Sequence, residues 1–264
     1  MYNKSTHFIL ELLQNADDNQ YDGVVPRLCI TYKPGSLRID CNEVGFSDRN
    51  VEAICAIGGS TKSGSNVFTG EKGIGFKSVF RVADAVWISS REYSFKLDTR
   101  EDGELGMIAP RWDAFPEALR NGHSSLFLKL SDRYNEEELI EEISSLDPAL
   151  LIFLRRLQHI ELHLVSKDGQ TWTTNLSRVN NVQEGLQFVT IAHERAIVKY
   201  VTRKHTVRKM PPESKRLSVS QSDIVLAFPI ADANEEPLPT THQVYAFLPI
   251  REFGFKVVAM SSSL

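Results

Sequence analysis

Two hydrophobic periods alternate along this chain, and the changes between them mark its elements. In His7–Asp18, Ile9, Leu12, Leu13 and Ala16 recur at i, i+3, i+4, i+7, the apolar stripe of an amphipathic helix. Glu11, Asn15 and Asp18 form a second stripe at i, i+4, i+7: a carboxylate, an amide and a carboxylate in line. The helix is expected to start at Ser5 or Thr6, either of which can cap, and to stop before Asp22-Gly23. Arg27–Tyr32 and Leu37–Cys41 then read as strands. The Lys33-Pro34-Gly35-Ser36 turn between them makes the pair a hairpin.

Ser47 can cap a helix through Val51, Ile54 and Cys55, and Ser78–Ala83 reads as another helix. Val86–Ser89, Tyr93–Leu97 and Ser124–Leu130 read as strands. The pattern so far predicts a sandwich in which antiparallel pairing dominates. After Leu130 the texture changes. Asn135-Glu136-Glu137-Glu138 opens a helix with acids at its positive end, and Pro148 precedes a short apolar helix, Leu150–Leu154. Alternating strands return at 160–165, 171–175, 186–191, 197–201, 224–228 and 244–249, while 203–222 reads as an exposed loop. The expected organisation is a first domain over 1–135 and a partial, strand-rich α+β domain over 136–264.

Composition narrows the chemistry. The 264 residues are 42% hydrophobic and 24% charged, ordinary for a globular chain with ample core. Thirty basic against thirty-four acidic residues leave −4, which gives no electrostatic case for nucleic acid or a membrane surface. No apolar run approaches the ~18 residues of a membrane span. Cys29, Cys41 and Cys55 lack CxxC spacing and paired His ligands, so no zinc or disulfide framework is expected. An intracellular compartment, cytoplasmic or nuclear, is the expectation.

The polar stripe of the first helix has two readings: a solvated face, or a set of oxygens fit for a hard cation and a polarised water. Glycines bear on the choice. Gly45 precedes one predicted helix and Gly70-x-x-Gly73-x-Gly75 precedes another, with the small-residue run Gly58–Ser65 between them. A turn ahead of a helix presents backbone N–H groups to phosphate. The glycine string matches neither a P-loop nor the dinucleotide fingerprint.

The order Glu11-x-x-x-Asn15-x-x-Asp18, Gly45-Phe46, Gly70-x-x-Gly73-x-Gly75-Phe76 resembles the GHKL ATPases. These are the gyrase, heat-shock chaperone, histidine-kinase and mismatch-repair ATPases of the Bergerat fold. The strings Gln14-Asn15-Ala16-Asp17-Asp18-Asn19, Ser60-Thr61-Lys62, Leu151–Leu157 and Val244–Ile250 are most similar to its sacsin and No Vein-like branch. The resemblance implies an α+β fold: a Bergerat-type α/β sandwich, a mixed and mostly antiparallel sheet covered by helices. It implies ATP and Mg²⁺ as ligands. Glu11 matches the general base, Asn15 the residue that holds Mg²⁺ among phosphate oxygens, and Asp18 a carboxylate on the base side of the pocket. Gly70, Gly73 and Gly75 match the phosphate loop, with Phe76 following it and Lys72 open to either a phosphate contact or a solvated role, and Ser60 to Ser65, including Thr61 and Lys62, match the lid. Ser124 stands where the family has a Thr near adenine.

One position departs from the pattern. The family's Asp-x-Gly-x-Gly, registered on Gly45, puts Cys41 where the adenine-binding Asp belongs and Glu43 where the first Gly belongs. Strand alternation sends the adjacent Asp40 to the opposite face unless a bulge intervenes. A thiol accepts weakly, so adenine is expected to be held less tightly. Two functions follow: slow Mg²⁺-dependent ATP hydrolysis driving lid closure, with a client or partner protein, or a non-catalytic scaffold that keeps the fold. The chain is also expected to be a piece of a longer protein, cut inside the N-terminal helical segment and before the C-terminal region of its relatives.

Overall fold

The computed structural model describes residues 7–56, 74–132, 134–194, 196–208, 221–230, 243–246, 248–252 and 258–261. They divide into two compact units, Met1–Leu146 with Arg155–Asn175, and Asp147–Leu154 with Leu176–Leu264. Both are built on mixed, mostly antiparallel pairing, and the described residues are α+β.

The first unit opens with helix α1 (His7–Asp18), followed by the hairpin β1 (Arg27–Lys33) and β2 (Ser36–Cys41). Helix α2 (Asp48–Cys55) is capped by Ser47 and Asn50, whose side chains and backbone bond reciprocally. The predicted helix at Ser78–Ala83 is replaced by a shorter arrangement. One α-turn, α3 (Ile74–Lys77), runs into a 3-10 turn, Ser78–Arg81, and Ala83 already belongs to a strand. The β-branched and aromatic run Val79-Phe80-Arg81-Val82 has little helix propensity to resist that change.

Next come β3 (Ala83–Ser90), β4 (Tyr93–Asp98), α4 (Thr99–Asp102), β5 (Arg111–Trp112) and β6 (Ser124–Leu130). Helix α5 (Glu136–Ser144) starts at Asn135, whose side chain accepts the Glu138 N–H. The spatial order of strands is β7-β1-β2-β6-β3-β4-β5, where β7 is His159–Val165. β1 and β7 pair in parallel, while β1–β2, β2–β6, β3–β6, β3–β4 and β4–β5 are antiparallel.

This sheet has two different faces. Leu28, Ile30, Tyr32, Leu37, Ile39, Leu128, Ile160 and Leu162 point one way and are buried, as are Leu12, Leu13 and Ala16 of α1 and Ile143 of α5. The other face carries Arg38 and Asp40 of β2, Ser125 and Phe127 of β6 and Trp87 of β3, crossed by residues 113–120. Phe115 stands edge-on to Phe127 and beneath the Arg38 guanidinium.

The second unit contains α6 (Leu150–Phe153) and the strands β8 (Thr171–Gln183, from Leu176 onward), β9 (Leu186–His193), β10 (Ala196–Arg208) and β11 (Gln221–Ile230). Three short strands follow: β12 (Gln243–Ala246), β13 (Leu248–Glu252) and β14 (Val258–Ser261). Their order is β13-β12-β14-β11-β10-β9-β8. The expected loop over 203–222 is corrected at both ends. Residues 203–208 continue β10 and 221–222 begin β11, paired from Arg203↔Leu226 to Arg208↔Gln221. The basic run Arg203-Lys204-His205 is flanked by Thr202, Thr206 and Val207, residues that suit a strand. No described helix is long and apolar enough to cross a membrane.

Candidate functional site

Helix α1 is held at its C-terminal end by a residue on its apolar side. Asp17 falls four residues after Leu13 and is 1% exposed. One of its oxygens accepts the backbone N–H groups of Arg156 (2.7 Å) and Leu157 (2.8 Å), and the other accepts that of Arg155 (2.8 Å). Arg156 Nη1 in turn donates to the carbonyls of Asp18 and Asn19, each at 2.7 Å, where a helix end leaves acceptors unpaired. Asp18, the last member of the polar stripe, is buried and paired with Arg155 Nη2 at 2.9 Å. A segment ~140 residues downstream thus fixes the helix that carries the stripe.

Glu11 and Asn15 sit half-buried higher on that stripe. Helix α3 packs against α1 here, bringing glycine to carboxylate: a Cβ on Gly75 would lie 2.4 Å from Glu11 Oε2. Only a residue without a side chain lets α3 approach while Glu11 keeps this position. Phe76 is half-buried beside Gly75. Lys77 Nζ donates to the Ala56 carbonyl at 2.5 Å, tying α3 to the end of α2, and Ser78 Oγ donates to the Gly75 carbonyl. Ser60, Thr61, Lys62, Gly70, Lys72 and Gly73 lie outside the described residues.

At the far end of α1 a second group of side chains meets. Cys41 and Ser124 are directly opposed across β2 and β6. Cys41 Sγ lies 3.1 Å from Tyr21 Oη, and Tyr21 donates its one proton to the Ala16 carbonyl at 2.7 Å. The thiol is therefore the donor and the phenol oxygen the acceptor. Burial, followed by the charge of Glu43, pushes the Cys41 thiol up to about 12, so it remains a neutral S–H at pH 7. Ser124 Oγ bonds Ser90 Oγ at 2.6 Å, and Ser90 Oγ accepts the Phe46 N–H at 2.8 Å. Gly45 has φ +91° and lies under the Arg91 side chain, whose Nε donates to the Val44 carbonyl at 2.6 Å. A side chain at Gly45 would be strained and would collide with Arg91.

Asp40 faces away from all of this. The β2 register runs without a bulge on both sides, so alternation places Asp40 beside Ser125 on the opposite face. Its carboxylate receives Arg38 Nε and Nη2, Ser125 Oγ at 2.6 Å and Arg120 Nε at 3.3 Å. Burial by itself lowers the Arg38 pKa, but the hydrogen bonds it donates to Asp40 and Glu117 outweigh it and leave it raised. Asp40 is thereby committed to a buried ion network on the other side of the sheet.

The structure thus brings Glu11, Asn15, Gly75 and Phe76 together along α1 and α3, and Cys41, Ser124 and Gly45 together beyond the end of α1. Sequence reasoning missed Asp17, Tyr21, Ser90 and Arg91. Asp17 had a signal, a carboxylate inside an apolar helix stripe, which demands a buried partner. The other three had none: Tyr21 meets Cys41, Ser90 meets Phe46 and Ser124, and Arg91 meets Val44, pairings that local spacing does not report.

No protein-family profile matches the chain. It is 33% identical to Protein NO VEIN of Arabidopsis thaliana over 283 aligned positions, which take in 98% of this chain and 10% of that protein. The chain is therefore related to a segment of NO VEIN and spans about a tenth of its length.

Proposed function

We propose that the first unit is a GHKL-type nucleotide-binding module of the Bergerat fold, with ATP and Mg²⁺ as ligands and slow hydrolysis as its reaction. The observation that carries this reading is the approach of Gly75 to the Glu11 carboxylate. That approach puts a candidate general base beside one glycine of the segment expected to cradle phosphate. Asn15, one turn along the same face, is the residue to hold Mg²⁺, which neutralises phosphate charge when bound. A single neutral amide suits an ion that keeps most of its water and phosphate oxygens. Asp18 serves by orienting Arg155 and closing the end of α1. Nucleotide-dependent closure of the lid expected at Ser60 to Ser65 and contact with a client or partner protein complete the proposal.

A specific observation favours the second reading, a scaffold with little affinity for adenine. Cys41 presents a neutral thiol that already donates to Tyr21, and Asp40 is engaged on the other face. The position where the family's adenine-binding Asp is expected is thus held by a neutral thiol, with Asp40 on the opposite face. Calorimetric titration of the chain with Mg-ATP, together with phosphate release in wild type and Glu11→Ala, separates the two. Saturable heat with phosphate release that Glu11→Ala abolishes supports the ATPase. No heat at millimolar Mg-ATP sinks it.

A further inference from the structure

We propose that Cys29, Glu161 and His163 form a binding site for a thiophilic divalent cation, Zn²⁺ in chemical class, on the sheet face opposite the core of the first unit. The parallel register of β1 and β7 sets Cys29 beside Glu161 and Thr31 beside His163, so period-two alternation puts all four on one face. The thiol sulfur, a carboxylate oxygen and an imidazole nitrogen all lie within 4.8 Å of one another. Zinc bonds of about 2.0–2.3 Å in tetrahedral geometry need ligand atoms roughly 3.3–3.8 Å apart, so side-chain rotation of about 1 Å closes the set.

What distinguishes this group from a chance cluster is the state of its other atoms. Glu161 Oε1 is held by Arg27 Nη1 at 2.5 Å, which leaves Oε2 facing His163 Nε2 at 3.9 Å. His163 Nδ1 is 3.3 Å from Thr173 Oγ1; as donor there, it leaves Nε2 with the lone pair a metal needs. Thr31 Oγ1 lies 3.8 Å from Cys29 Sγ, where a hydroxyl supports a thiolate. Each ligand therefore has an outer partner that orients it, the pattern by which such sites are tuned. Cys29 lies beneath, while the Glu161 and His163 side chains are 24% and 38% exposed, which gives an entry path and a fourth position for water. Thiolate and carboxylate balance the ion's charge, and binding releases the thiol proton.

The test uses the whole chain, stripped with chelator, kept reduced and titrated with Zn²⁺ by calorimetry and with Co²⁺ by absorption. One equivalent of Zn²⁺ and a thiolate-to-cobalt charge-transfer band in the near ultraviolet are expected. Cys29→Ser should remove the band. His163→Gln, at a half-exposed position that tolerates change, should weaken Zn²⁺ at least ~100-fold, and Thr173→Val about tenfold. Cys55→Ser should leave both readouts unchanged. Zinc affinity weaker than about 0.1 mM, or a band that survives Cys29→Ser, overturns the site. The titration contains neither nucleotide nor Mg²⁺, so its outcome is independent of the ATPase reading.

Discussion

Glu11 and Asp17 are both carboxylates on one twelve-residue helix, and the fold uses them in opposite ways. Asp17 is enclosed and receives three backbone N–H groups from 155–157. Glu11 is half-buried and lies against a glycine that offers it no side chain. The first arrangement spends an anion on holding chain segments together; the second leaves a carboxylate beside a glycine, which is where the proposed ATPase reading needs its base. Burial with full hydrogen bonding is the mark of a structural carboxylate.

The sharpest way to break that contrast is to neutralise each residue. Glu11→Gln is expected to lower phosphate release by about 10²–10⁴-fold while the urea midpoint stays at the wild-type value. Asp17→Ala should leave three backbone donors, one buried and two part-buried, without the carboxylate and cost about 3–5 kcal/mol in denaturant unfolding, with activity lost only in proportion to unfolded protein. If Asp17→Ala unfolds no earlier than Glu11→Gln, the assignment of roles is wrong.

Gly75→Ala sharpens the same comparison by acting on the neighbour. Alanine favours the short helix by about 0.5–1 kcal/mol, yet its Cβ must displace the Glu11 carboxylate. Turnover should fall by at least ~10-fold with stability unchanged or slightly raised, a split that kinetics and thermal melts together would reveal. On the base side, Cys41→Asp replaces a donor by an acceptor, and tighter Mg-ATP binding by calorimetry, about tenfold, is the expected outcome. Unchanged affinity would remove Cys41 from the adenine wall.

The smallest effect concerns a third carboxylate. Glu142 Oε2 is buried without a hydrogen-bond partner among the described residues, and burial, then Glu138, raises the group to about 7. A carboxylate raised by folding stabilises the protonated protein, so that contribution is full below the ordinary value of 4.5 and is lost as pH rises from there through about 7. Glu142→Gln should therefore flatten the fall in stability between pH 4.5 and 7, by less than ~1 kcal/mol because the residue is only half-buried. Chemical unfolding across that range would check it.

Much of the first unit was legible because its signals are local. The stripes of α1, the Lys33–Ser36 hairpin and the Ser47 cap are set by residues within one turn of each other, and each stands where the pattern placed it. The opposite facing of Asp40 and Cys41 likewise follows from the pleat alone. Segments whose conformation depends on distant partners were misread. The basic run 203–208 is a strand because β11 supplies a partner for every residue of it. The 78–81 segment closes as a 3-10 turn rather than a helix, because Ala83 is drawn into β3 beside β6.

The candidate site divides along the same line. The sequence by itself determined the helix that carries Glu11 and Asn15, since side-chain spacing and helical period suffice to align them. Only tertiary structure decided that Gly75 would meet Glu11, that Arg155 would take Asp18, and that Asp17 would be the helix's anchor. It also joined Cys29 to His163 across 133 intervening positions, where spacing along the chain had offered no metal site. The physical reason is range. Periodicity reports what a residue does to its own turn or pleat, whereas pairing across a sheet depends on which strands the hydrophobic core draws together.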